Sequence, residues 1–288
     1  EPDLYLPPAS CRGKPPVGDP YGIVSTALAS CRAAGVPFIW KLPRIVPDRF
    51  LDAVIPALPR LAAEGLTGVM TDDRGAARRI HSTVPHLPLH GGPGLNIFNH
   101  AATLASDSFF ASVTLSIELC RDEIVQLMDC LRPAPAAPAC SLIVQGPVEA
   151  MVTEDCIKTL TEPCAAGERE QPGGSRFFGI RDEKGEVWPV WQDRACRTII
   201  GSPADLCLIG HLAVIAEAGI REIVIDARHR PPQYIAAMTP LYRHAFAAIG
   251  DGRSSGTGGS TPAALEKKAA AIAGRITTGH FLRGLTES

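Results

Sequence analysis

FIWKLPRIV (38–46), FLDAVIPALPRLAAEG (50–65), TGVMTDD (67–73) and RGAARRIHS (74–82) decide the fold: they alternate a short apolar, β-rich run with a longer run of helical periodicity. The same theme continues outward. LPLHGGPGLNIFN (87–99), SVTLSIEL (112–119) and SLIVQG (141–146) are further strand candidates, and the second leads into the amphipathic helix CRDEIVQLMDCL (120–131). Later, LCLIGHLAVIAEAG (206–219) is expected to be a helix, EIVIDAR (222–228) a strand, and PPQYIAAMTPLYRHAF (231–246) a helix opened by proline. Upstream, PDLYLPP (2–8) has strand character, and GIVSTALASCRAAG (22–35) is a helical pattern that stops at Gly35. Strand and helix alternating without hairpin signals predict parallel βα units, either a closed barrel or a doubly wound sheet. The barrel is favoured. No glycine-rich dinucleotide fingerprint follows any strand, and polar residues sit just past the strand ends: Arg44, Asp72, Asp73, Asn96, Asn99, Glu118 and Arg228. The plainer alternative for each of them is a cap on the following helix.

Two stretches break the pattern. Residues 151–200 form a long polar insert with Cys156, Cys164, Cys196 and a hairpin expected in FFGIRDEKGEVWPVW (177–191), its turn near EKGE. Residues 250–268 have the Gly/Ser-rich composition of a flexible linker, leaving 269–288 as a C-terminal arm and 1–249 as the barrel with its insert. The chain has 288 residues, 45% of them hydrophobic and 20% charged, enough to bury a core, and no apolar run is long enough for a membrane span. A net charge of −2 supplies no general attraction to nucleic acid, so a small-molecule substrate is favoured over RNA.

Nine cysteines, an odd number in a chain without a signal peptide, suit a reducing cytoplasm better than a disulfide scaffold. Cys156, Cys164 and Cys196 lie in loop-like sequence, and Cys207 opens the expected helix at 206. Four thiolates gathered by a fold suit a structural zinc or a 4Fe–4S cluster. There is no CxxC pair, so the spacing leaves both open, and Cys207 in LCLIGHL also reads as an ordinary core residue. Cys31, Cys120, Cys130 and Cys140 fall in or beside helical patterns and read as core or surface thiols.

Several segments together resemble peptidase family U32, the collagenase-like proteins. SLIVQGPVEAMVTEDC (141–156) resembles the family's strand leading through a methionine to a cysteine, with Gln145-Gly146 where a His-Gly pair is usual. FFGIRDEKGEVWPVWQDRACRTIIGSPADLCLI (177–209) resembles its stretch ending in Cys-Arg-Thr before a helix. EIVIDARHRPPQYI (222–235) resembles its Glu-Gly-Arg strand end, here Asp226-Ala227-Arg228. SIELCRDEI (116–124), KLPRI (41–45), GLNIFN (94–99) and TTGHFLRG (277–284) fit the same pattern. The resemblance implies a TIM-like (βα) barrel. On it PDLYLPP aligns with the second barrel strand, so the barrel is expected to be incomplete, its first βα unit supplied by another segment or a protein partner, or lost.

It also implies a 4Fe–4S cluster on Cys156, Cys164 and Cys196. The fourth ligand is Cys207, Glu149, another group, or absent; zinc, or no metal, is the alternative. Glu118 and Arg228 at the strand ends would orient an anionic substrate or hydroxyl donor, and Arg197 would donate hydrogen bonds near the sulfurs. The implied activity is oxygen-independent hydroxylation of a small aromatic or quinone-like molecule, or of RNA. Two other classes compete: a non-catalytic or structural subunit of a larger complex, and the peptidase of the family name. The latter is disfavoured because no GxSxG or HExxH motif occurs.

Overall fold

The computed structural model describes residues 20–106, 109–157, 178–192, 197–250 and 261–284. It divides into two compact units. One comprises 20–146 and 204–288; the other contains 147–203.

The larger unit begins with α1 (Pro20–Ala33). As predicted, the helix stops at Gly35, whose φ of +65° lets the Val36 amide reach back to the Cys31 carbonyl at 2.9 Å. β1 (Phe38–Lys41) is shorter than FIWKLPRIV because Pro43, with no N–H, ends the ladder. The single helix expected over 50–65 is α2 (Asp48–Val54), a 3₁₀ turn (Ile55–Ala57) and α3 (Leu58–Ala63), broken where Pro56 and Pro59 enter. Its apolar stripe survives the break: Leu51, Val54, Leu58 and Leu61 are all buried. There follow β2 (Leu66–Thr71), α4 (Arg74–Thr83), β3 (Leu89–Gly91), α5 (His100–Leu104), β4 (Ser112–Thr114), α6 (Arg121–Leu131) and β5 (Ala139–Gly146). In α6, Ile124, Leu127 and Leu131 face inward, and Glu123 accepts the Cys120 amide at 2.8 Å, closing the first turn.

Strands β1 to β5 pair in chain order and in parallel, and β11 (Glu222–Ile225) adds to β5, also in parallel. A doubly wound sheet reverses its strand order at a switch point. No reversal occurs among the described strands, and the unit is a curled half-barrel compatible with an incomplete TIM-like barrel. Among the described residues β1 pairs only with β2. β5 lies at its centre, buried from Cys140 to Gly146, as its unbroken apolar run requires.

Two expectations are corrected. Residues 205–207 are not the start of a helix; they form β10 (Asp205–Cys207), antiparallel to β5 through Leu206 opposite Gly146 and Cys207 opposite Gln145. The helix α7 (Leu212–Glu217) starts after a 3₁₀ turn. Backbone pairing with the buried end of β5 outweighs the local helical preference of LCLIGHL. The linker expected at 250–268 is helical in its second half. After α8 (Pro232–Gly250), residues 251–260 lie outside the described set, and α9 (Pro262–Ala273) opens with Pro262 behind Thr261, whose hydroxyl accepts the Ala264 amide. β12 (Ile276–Thr277) pairs with β10, and the arm that follows buries Phe281, whose carbonyl accepts the Arg121 amide at 2.8 Å.

The smaller unit is an antiparallel sheet of β6 (Glu149–Thr153), β9 (Thr198–Gly201), β8 (Val187–Gln192) and β7 (Phe178–Arg181), in that order. β7 and β8 form the predicted hairpin. Asp182 organises its turn: the carboxylate accepts the amides of Lys184 and Glu186 and the Trp188 indole N–H, and the last of these chiefly holds its pKa below the ordinary value. The expected strand PDLYLPP lies outside the described residues, as do Cys164 and Cys196. No helix among the described residues is long and apolar enough to cross a membrane.

Candidate functional site

The polar residues past the strand ends divide into two kinds. Asp73 and Asn99 are helix caps: their side chains accept the amides of Ala76 and Ala102 at 2.8 Å at the starts of α4 and α5. Asp72 is different. Its side chain is 1% exposed, Oδ2 meets Lys41 Nζ at 3.1 Å, and Oδ1 accepts the Gly94 amide at 2.9 Å. Lys41, the last residue of β1, was not singled out from the sequence, although a lysine ending an apolar strand such as FIWK is a recognisable signal. Glu118 is exposed, and its carboxylate has no hydrogen-bond or ion-pair partner among the described residues. Arg228 folds onto Asp226 of its own turn, with Nε 3.0 Å from both carboxylate oxygens. The structure therefore shows no contact pairing Glu118 with Arg228.

The Gln145-Gly146 pair at the end of β5 lies where strands β10 and β11 meet. Gly146 has φ +125°, and a Cβ there would lie 1.9 Å from the Asp226 carbonyl oxygen, so only glycine fits. Across this contact, Asp226-Ala227-Arg228 does not need the family's central glycine, because the left-handed residue of this turn is His229, φ +61°. Gln145, fully buried, anchors a network absent from the sequence-based expectations. Its amide donates to Tyr234 Oη at 2.8 Å and accepts from Tyr242 Oη at 3.0 Å. Tyr234 in turn donates to Asp205 Oδ2 at 2.9 Å, and Arg230 pairs with Asp205 Oδ1. Burial pushes both phenols above the ordinary tyrosine range. The signal was present in α8: Tyr234, Met238 and Tyr242 recur at four-residue spacing and are all buried.

Cys207 belongs to this neighbourhood. Its Sγ is 4.0 Å from Tyr242 Oη, the residue is buried, and burial raises its thiol pKa. These are the surroundings of a protonated core thiol.

In the smaller unit, Cys156 follows β6 and is buried. Gln192 donates its amide N–H to Sγ at 2.9 Å. The Thr198 hydroxyl donates to the Asp155 carbonyl at 2.6 Å and accepts the Ile157 amide at 3.1 Å, tying the cysteine's two neighbours to the first residue of β9. Arg197, 6% exposed and next after Cys196 in sequence, donates from Nε to Glu154 Oε1 at 2.8 Å. No group of three or more metal-ligating side chains occurs among the described residues.

Parallel strands that pair in chain order, with helices between them, define the class: an α/β protein of half-barrel type. The chain belongs to peptidase family U32, whose pattern it matches over residues 22–288. Over 79 residues it is 32% identical to the tRNA hydroxylation protein P2 of Bacillus subtilis (strain 168), a stretch covering 27% of this chain and 25% of that relative. The match thus spans about a quarter of the relative's length. No solved structure matches the chain.

Proposed function

We propose that this protein supports oxygen-independent hydroxylation and holds a 4Fe–4S cluster through Cys156, Cys164 and Cys196. Family membership and the relative named as a hydroxylation protein fit a hydroxylation-related role. The observation that carries the cluster is the setting of Cys156: buried, given an amide N–H by Gln192, and fixed through Asp155 and Ile157 to Thr198, the second residue after Cys196. Amide hydrogen bonds to sulfur tune a cluster's potential. Arg197, held by Glu154, is a positioning residue beside one ligand. Cys207, with its raised thiol pKa, is the least suited of the four candidates, which leaves the fourth ligand to Glu149 or another group. When bound, such a cluster supplies electron transfer or Lewis-acid activation. The substrate is proposed to be a small aromatic or quinone-like molecule in preference to RNA, in keeping with the net charge of −2. The half-barrel is compatible with a further segment or protein partner completing the barrel.

Anaerobic purification followed by iron, sulfide and zinc analysis tests the reading. The expected result is roughly four irons and four sulfides per chain, lost in Cys156→Ser and retained in Cys207→Ser. Iron-free protein after anaerobic reconstitution, stoichiometric zinc, or a Cys156→Ser variant with full iron would overturn it.

A further inference from the structure

Arg44 stands just past the end of β1, without a hydrogen-bond or ion-pair partner among the described residues. The chain there is held firmly: the Leu42 amide bonds the Met70 carbonyl at 2.8 Å, Leu42 is 2% exposed, and Pro43 fixes the next step. The Arg44 side chain is half-buried against the turn after β3. A Cβ on Gly94 would fall 2.7 Å from Arg44 Nε and 2.8 Å from Cζ, so the glycine lets the guanidinium lie against the turn. A Cβ on Gly92 would fall 2.1 Å from Asp72 Oδ1 and 3.1 Å from Lys41 Nζ. Two cations and one buried carboxylate therefore crowd around two glycines.

The carboxylate is already committed. Asp72 spends one oxygen on Lys41 and the other on the Gly94 amide. Asp73, the other acid nearby in sequence, is turned to the N-terminus of α4. The guanidinium is thus left with five N–H donors and no hydrogen-bond or ion-pair partner among the described residues. A half-buried fixed charge in that state favours an anion, and the planar fork matches the two oxygens of a carboxylate or phosphate. The place is also the C-terminal edge of consecutive parallel strands, where barrel-type folds build ligand sites.

We propose that the ends of β1 to β3 form an oxyanion-binding subsite, in which Arg44, backed by Lys41 and the Gly92–Gly94 turn, takes the carboxylate or phosphate group of a small ligand. The subsite is independent of the iron–sulfur reading, and its test involves neither iron nor activity. The full chain is labelled with phenylglyoxal, and modification is quantified residue by residue by mass spectrometry in acetate, inorganic phosphate or chloride at equal ionic strength. Arg44 is expected to label several-fold more slowly in at least one oxyanion than in chloride, while exposed Arg49 labels alike in all three. Protection by phosphate alone identifies a phosphoryl ligand; protection by acetate identifies a carboxylate. The oxyanion-dependent rise in melting temperature is expected to vanish in Arg44→Gln, which leaves the Lys41–Asp72 pair intact. Equal labelling of Arg44 in oxyanion and chloride, or slowing matched at Arg49, shows a merely solvated arginine and overturns the proposal.

Discussion

Replacing Tyr234 by phenylalanine removes one oxygen and nothing else, yet that oxygen joins two buried groups. It donates to Asp205 Oδ2 at 2.9 Å and accepts from Gln145 Nε2 at 2.8 Å. Losing a hydrogen bond to a carboxylate costs about 1.5–3 kcal/mol, and stranding a buried amide N–H costs about 1–3 kcal/mol. Asp205 keeps its pair with Arg230, so the two losses do not add in full, and a net destabilisation of about 3 kcal/mol is expected. At ~2–4 °C per kcal/mol for a domain of this size, Tyr234→Phe lowers the melting temperature by ~6–12 °C. Thermal melts give the shift, and hydrogen exchange of the 139–146 peptide locates it on β5. Gln145→Leu supplies the second arm. In the double variant no amide remains to be stranded, so its loss should fall short of the sum of the singles by about 1–2 kcal/mol. A Tyr234→Phe protein that melts with the parent, or single costs that simply add, would refute the network.

Gly146→Ala should cost more than about 2 kcal/mol, since it adds a clash with the Asp226 carbonyl to an unfavourable φ. Gly65→Ala, at φ +108° with open space around it, isolates the conformational part at about 1–2 kcal/mol; equal melting temperatures for the two variants would rule out the clash. His90 yields a pH signature. Burial chiefly holds its pKa below 6.5, opposed by Glu222, and Nδ1 lies 2.8 Å from the Ser112 hydroxyl. A histidine depressed in the folded state contributes stability that is present above pH 6.5 and is lost as pH falls through the folded pKa. Melts between neutral and mildly acidic pH should therefore fall more steeply for the parent than for His90→Asn, and parallel curves would contradict the assignment.

How much of this was legible in the sequence varies by element. The parallel βα order could be read from 38–146 because apolar period and turn chemistry are local properties: strand runs bounded by prolines, helices capped by Asp73 and Asn99, a stop at Gly35. The hairpin at 178–192 was legible for the same reason, with Asp182 and Gly185 supplying its turn. The helix expected from 206 failed because Leu206 and Cys207 take their partners, Gly146 and Gln145, from the distant strand β5.

The candidate site divides in the same way. Composition and spacing brought out Cys156, Arg44, Asp72 and Arg228 as chemically capable, since side-chain type is written in the sequence. Which of them is satisfied was decided only by tertiary structure. Asp226 occupies Arg228 and Lys41 occupies Asp72, while Arg44, beside a glycine turn, has no partner among the described residues. Tyr234 and Tyr242 become one network with Asp205 only when α8 packs over the ends of β5 and β10. The sequence by itself determined the order of strands and helices and the inventory of reactive groups, because both are set residue by residue. Partnership and burial are pairwise properties of distant residues, so they, and the roles that depend on them, were settled by the folded chain.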